Sequence, residues 1–209
     1  SIAADSVELV GLIGGATSAV AVDGNYAYIG EGPRLIILNI TNPAAPVVVG
    51  KSPVLPGYVD DVAVAGNYAY IAARYGGLWI INVADPAAPF EVGFHAIPGG
   101  ARGVALAGSY AYIASANLGL RIINITDPTA PVEASFYNTP GYAQDVAVAG
   151  SYAYVADEGS GLRIINVADP TEPVEVGFYD TPGEAWGVGI AGNHAYVADR
   201  AAGLRIINV

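Results

Sequence analysis

The sequence predicts an all-β fold: a five-bladed β-propeller, four antiparallel strands per blade, with the last blade completed by the N-terminal strand. Three observations predict it. The chain repeats with a period of 42 residues, each repeat holds four short strand patterns, and no helical periodicity appears. Four-stranded units of about 40–50 residues are the signature of propeller blades.

The period is read from columns. Tyr28, Tyr70, Tyr112, Tyr154 and Tyr196 hold one; Gly24, Gly66, Gly108, Gly150 and Gly192 hold another. The units start near Ala19, Asp61, Gly103, Asp145 and Gly187. Unit one loses a residue near Pro33 and regains one near Ser52, so its ends stay in phase.

Within a unit the first strand reads "DVAVA". A two-residue turn follows, Gly66-Asn67 or Gly150-Ser151, a pairing that suits the primed turns of tight hairpins. The second strand, "YAYIA" or "YAYVA", is rich in strand formers. A looser turn ending in glycine leads to the third, "GLRIINV". The Asp-Pro-x-x-Pro segments from Asp85, Asp127 and Asp169 then break the chain, because proline has no N–H for a ladder. The fourth strand, "PVEVGFY", carries the proline and glutamate of a guarded edge.

The chain stops at Val209, after a third strand, and residues 3–13 read as a shortened fourth. Val7, Leu9, Val10, Leu12 and Ile13 are therefore expected to bury in a closing or exchanged strand. At about 1.5–3 kcal/mol per fully buried large side chain, half of that sum is a large share of a domain's ~5–15 kcal/mol. The strand needs a partner, in its own chain or in the next. On this reading residues 1–209 form one propeller domain, with 1–18 as closing strand and first loop.

Composition bounds the function. Hydrophobic residues make up 53% and charged residues 13%, as expected of blades packed on both faces and not of a disordered chain. Gly, Asn, Asp or Pro interrupts every apolar run, so no segment is a membrane-spanning helix and no membrane insertion is expected. A net charge of −11 argues against nucleic acid and against anionic membrane surfaces. The absence of cysteine excludes disulfides, thiolate metal sites and cysteine nucleophiles. With no methionine, the chain is expected to start after an initiator or a removed leader, as a mature secreted chain or a fragment would.

The stretch "YVADEGSGLRIINVADP", with the Gly-Asn/Ser hairpin, the Tyr-Ala-Tyr strand and the Asp-Pro turn, resembles the LVIVD repeat family over essentially the whole chain. The resemblance implies a β-propeller of prokaryotic surface or secreted proteins, hence an extracellular or cell-surface location, and no defined reaction. One column departs from the family. Asn39, Asn82, Asn124, Asn166 and Asn208 stand where it usually has aspartate. Asparagine retains the ability to bond nearby turn backbone.

Columns alike in all units serve the blade, and columns that differ are candidates for recruitment. The sharpest variable column precedes each first strand: Ser18, Asp60, Arg102, Gln144 and Trp186. Two residues earlier stand Ala16, Tyr58, Gly100, Tyr142 and Glu184. These junctions are expected to ring a channel mouth. Tyr58, Asp60, Arg102, Tyr142, Gln144, Glu184 and Trp186 are thus the candidate binding residues, facing an unknown protein or glycan ligand; unselected loop drift is the plainer reading. A second variable set, including Arg74, Asp157, Glu158, Asp199 and Arg200, reads as a solvated rim that would extend the site if it fell on the same face.

No catalytic residue is assigned. A glycoside hydrolase would need a carboxyl pair, for which Asp60, Asp61, Asp145 and Glu184 are the acids at hand, but none sits in a recognisable motif. No cofactor is expected, calcium excepted: Asp61 and Asp145 share a column and are candidates for oxygen ligands. His194 falls in a tyrosine column and reads as a packed aromatic. His95 falls with Tyr137 and Tyr179 on the outer strand. Asn39-Ile-Thr41 and Asn124-Ile-Thr126 match the glycosylation pattern. The leading expectation is a non-enzymatic binding scaffold. The alternatives are a structural subunit of a surface oligomer or filament that self-associates by N-terminal strand exchange, and a glycosidase.

Overall fold

Alternating side chains and two-residue turns produce a series of antiparallel meanders. In a computed structural model, residues 9–209 are described. Blade 1 holds β1 (Ala19–Asp23), β2 (Tyr26–Glu31), β3 (Arg34–Asn39) and β4 (Val47–Lys51). Blade 2 holds β5 (Asp61–Ala65), β6 (Tyr68–Ala72), β7 (Leu78–Asn82) and β8 (Phe90–His95). Blade 3 holds β9 (Gly103–Ala107), β10 (Tyr110–Ala114), β11 (Leu120–Asn124) and β12 (Val132–Tyr137). Blade 4 holds β13 (Asp145–Ala149), β14 (Tyr152–Ala156), β15 (Leu162–Asn166) and β16 (Val174–Tyr179). Blade 5 shows β17 (Gly187–Ala191), β18 (His194–Ala198) and β19 (Leu204–Asn208) among the described residues, with a short 3-10 turn at Arg200–Ala202. The strands of each sheet lie in chain order, the topology of a five-bladed β-propeller.

The first hairpin of each blade closes as expected. Gly66 (φ 56°) sits between Ala65 and Tyr68, which pair directly. A β-carbon on Gly66 would meet nothing, so the positive φ and not lack of space demands glycine. The third and fourth strands are joined through a register shift at the same place in four blades: Ile37/Leu38, Ile80/Ile81, Ile122/Ile123 and Ile164/Ile165. Such bulges strengthen the local twist and turn the guarded outer strand away from edge pairing.

The core lies between blades. Tyr28, Leu35 and Ile37 of blade 1 close on Val62, Ala69 and Ile81 of blade 2. Tyr70, Leu78 and Ile80 close on Val104, Ala111 and Ile123 of blade 3 in the same way. The inner strands pack side by side, β1 on β5, β5 on β9, β9 on β13 and β13 on β17. The inner strands of blades 2, 3 and 4 are covered from both sides and tolerate apolar residues at nearly every position, which accounts for the composition.

The residues expected to form the closing strand divide. Val7 lies outside the described residues. Leu9, Val10, Leu12 and Ile13 are exposed and outside the strands, where burial was expected. His194 is also exposed instead of packed, and His95 places its Nδ1 3.1 Å from the Pro131 carbonyl oxygen.

Candidate functional site at the channel mouth

The loops before the first strands of blades 3, 4 and 5 are held by backbone hydrogen bonds to the preceding blade. Ala101 N–H donates to Arg74 O at 2.7 Å, Ala143 N–H to Ala116 O at 2.8 Å and Ala185 N–H to Glu158 O at 3.0 Å. The residues that receive them are left-handed: Arg74 (φ 40°), Ala116 (44°) and Glu158 (44°), with Arg200 (37°) in the same column. A non-glycine residue pays about 1–2 kcal/mol for this conformation, offset here by the bonds it makes. The variable residue that follows each anchored alanine is thereby aimed inward.

All five members of the sharpest variable column, Ser18, Asp60, Arg102, Gln144 and Trp186, line one cavity of about 360 Å³. Asp61, Arg74 and Asp145 complete its wall. Asp60 is the electrostatic centre. Arg74 grips it with Nε and a terminal nitrogen, both at 2.9 Å at closest, and Arg102 reaches it at 3.2 Å. Arg102 also donates to the Tyr142 hydroxyl at 2.7 Å and lies over that ring, 5.5 Å from its centroid. Gln144 donates its amide N–H to Glu158, which leaves the carboxamide oxygen available as an acceptor. Trp186 is partly exposed, and the Arg200 guanidinium stacks 3.9 Å from its ring centroid.

Not every candidate converges. Tyr58 lines an adjoining hollow of about 340 Å³ that shares Ser18, Asp60 and Arg74 with the main cavity. Glu184 lies in a separate hollow beside Pro182, paired with Arg200, so it touches the main cavity only through Arg200 and Trp186. Arg74 enters the main wall although its column reads as a rim.

Asp61 and Asp145 have a different task. Asp61 Oδ1 accepts Val62 N–H and Oδ2 accepts Val104 N–H, both at 2.8 Å, so one carboxylate ties blade 2 to blade 3. Asp145 ties blade 4 to blade 5 in the same way, through Val146 at 2.8 Å and Val188 at 2.9 Å. Burial raises the pKa of both. Asp61 reaches about 7, with the neighbouring Asp145 and Asp60 carboxylates adding to the rise against the pull of its two N–H donors. Their oxygens are committed to backbone donors, and among the described residues no group of three His, Cys, Asp or Glu is arranged for a metal ion.

The rim reading of Asp157 and Asp199 is corrected: both are fully buried. Asp157 accepts the Thr139 hydroxyl at 2.6 Å and Gly141 N–H at 2.8 Å, which pins the loop leading to Tyr142. A carboxylate immediately after an apolar strand offers no sequence signal that separates a loop anchor from a rim charge. The asparagine column is likewise structural. Asn39 and Asn124 accept the N–H of Thr41 and Thr126 at 2.9 Å, the turn bond expected of that residue type.

The fold is widely shared. The periplasmic gluconolactonase PpgL of Pseudomonas aeruginosa superposes with a TM-score of 0.78 at 15% identity, covering 92% of this chain and 66% of that one. About a third of its length has no counterpart here. The computationally designed Ika8 protein gives 0.68 at 8% identity, over 93% of this chain and 71% of its own. The designed Ika4 protein gives 0.61 at 11% identity, over 77% and 98%. At these identities the likeness concerns the fold alone. No curated relative matches the sequence. No helix among the described residues is long and apolar enough to cross a membrane. The LVIVD repeat profile matches residues 14–52, 56–95, 98–139, 140–181 and 182–209, one match per blade, and the chain therefore belongs to the LVIVD repeat family.

Proposed function

We propose that the protein is a non-enzymatic extracellular or cell-surface scaffold that binds a glycan at its channel mouth. One observation carries the reading. The repeat column that differs in every blade is the column whose five members meet in one cavity. An indole ring, guanidinium donors and a carboxamide oxygen are groups that recognise a polyhydroxylated ring. A cavity of about 360 Å³ is of the size that holds a small ligand.

The acids support binding over hydrolysis. Asp60 is held by Arg74 and Arg102, Glu184 is paired with Arg200, and Asp61 and Asp145 each hold two backbone N–H groups. None stands opposite another as a free acid and base. The test is a glycan array followed by calorimetry on any hit, with wild type, Trp186→Ala and Arg102→Ala. The expected result is saccharide binding without turnover, weakened at least tenfold in either variant while the melting curve is kept. Binding that both variants retain would remove the site, and release of hydrolysed sugar would overturn the non-enzymatic reading.

A further inference from the structure

Among the described residues, blades 1 and 5 each leave bare a face that the other blades cover. On β1, Val20 is 64% exposed, whereas Val62, Val104 and Val146 of the same column are 4–5% exposed. Val22 beside it is exposed too. On blade 5, Leu204 is 61% exposed, while Leu35, Leu78, Leu120 and Leu162 in that column are fully buried. Tyr196 is 36% exposed against 3–6% for Tyr28, Tyr70, Tyr112 and Tyr154. Ile206 is exposed where Ile37, Ile80 and Ile122 are buried.

The repeats themselves identify what fits such a face. At each internal interface the tyrosine, leucine and isoleucine of one blade close on the valine-bearing front of the next. The face of Tyr196, Leu204 and Ile206 is therefore shaped for a front of the Val20 type. Among the described residues the bare front of that type is on blade 1.

The N-terminal segment gives a second, independent indication. A β-carbon on Gly11 would collide with the Pro43 carbonyl oxygen. The same collision would occur between Gly50 and Pro86 and between Gly93 and Pro128. Gly50 and Gly93 lie on the outer strands β4 and β8, each against the proline turn of the following blade. Gly11 thus occupies the outer-strand place just ahead of blade 1. Meanwhile β19, the strand that such an outer strand would flank, pairs with β18 alone among the described residues.

We propose that a second copy of this chain docks head to tail on blade 5. Its blade 1 front covers Tyr196, Leu204 and Ile206, and its segment around Gly11 runs beside β19 as the fourth strand of that blade. One docking event would bury both bare faces and extend the β19 ladder, as strand addition does elsewhere. The occupant is another copy because a front face and an outer-strand segment are presented together at one end of this chain, and a face and a strand edge that lack them at the other. Such a contact joins unlike surfaces, so each added copy leaves a free end. Assembly continues until the rotation closes a ring, or indefinitely as a filament.

The test is light scattering of the 209-residue chain over a concentration series, with Val20→Glu and Ile206→Glu as variants. Both side chains are exposed in the single chain, so circular dichroism should be unchanged; Leu204→Lys serves if Ile206→Glu melts early. Wild type is expected to exceed 21.2 kDa and to grow with concentration. Each variant alone stays at 21.2 kDa, because an unpaired charge in the apolar contact weakens it on the order of a hundredfold or more. Mixed in equal amounts, the two variants form a dimer and stop, since each supplies the face the other lacks. A wild-type mass of 21.2 kDa at every concentration, as closure within one chain or cover by a different partner would give, overturns the proposal. So does a mixture that fails to pair.

Discussion

Asp61 makes the stability of the protein depend on pH in a direction opposite to that of a salt-bridged carboxylate. Its pKa rises from an ordinary 3.8 to about 7, chiefly because its carboxylate is buried at the seam of blades 2 and 3. The native state therefore keeps a proton that the unfolded chain releases from about pH 4 upward, and stability falls as pH climbs toward 7. Between about pH 5 and pH 8.5 the loss from this one group is about 3 kcal/mol. Asparagine cannot ionise, but it offers a single acceptor oxygen to Val62 and Val104, at a fixed cost of about 1–3 kcal/mol. Urea unfolding of wild type and Asp61→Asn, followed by circular dichroism at both pH values, isolates the effect. The stability difference should move toward the variant by about 3 kcal/mol on going to the higher pH. A movement below about 1 kcal/mol would mean that the seam stabilises the carboxylate as well as water does, and would refute the reasoning. Asp145→Asn should move in the same direction, because burial also raises the Asp145 pKa.

Four further outcomes follow from packing, hydrogen bonding and backbone geometry. Leu120→Ala, at a fully buried position between blades 3 and 4, should lower unfolding free energy by about 3–5 kcal/mol in denaturant titration. Val20→Ala in the dilute single chain should cost no more than about 0.5 kcal/mol by the same assay, because the side chain is exposed. Asp157→Ala strands the Thr139 hydroxyl and Gly141 N–H and should cost about 2–4 kcal/mol, read as a lowered melting temperature. Gly161→Ala forces a β-carbon into the Tyr179 carbonyl at φ 71° and should lower the melting temperature as well.

Much of this molecule was legible as text because its information is local. Gly66-Asn67 turns a hairpin wherever it stands, and Asp85-Pro86 ends a strand by removing a donor. A column of tyrosines 42 residues apart can only be one blade position repeated. The five-membered column from Ser18 to Trp186 was legible for the same reason, since equivalent loops of a propeller share one rim.

What the text does not carry is distance through space. Asp157 and Asp199 look like any polar residues after a strand, and only the loops folded over them make them anchors. Tyr142 meets the cavity only through its bond to Arg102, and its column-mate Glu184 sits in a separate hollow, paired with Arg200. The sequence by itself determined blade, turn and column, since each rests on residues within one repeat. The tertiary structure decided which columns meet, which carboxylates lose water, and which two faces remain uncovered among the described residues, since each depends on blades that are distant in the chain.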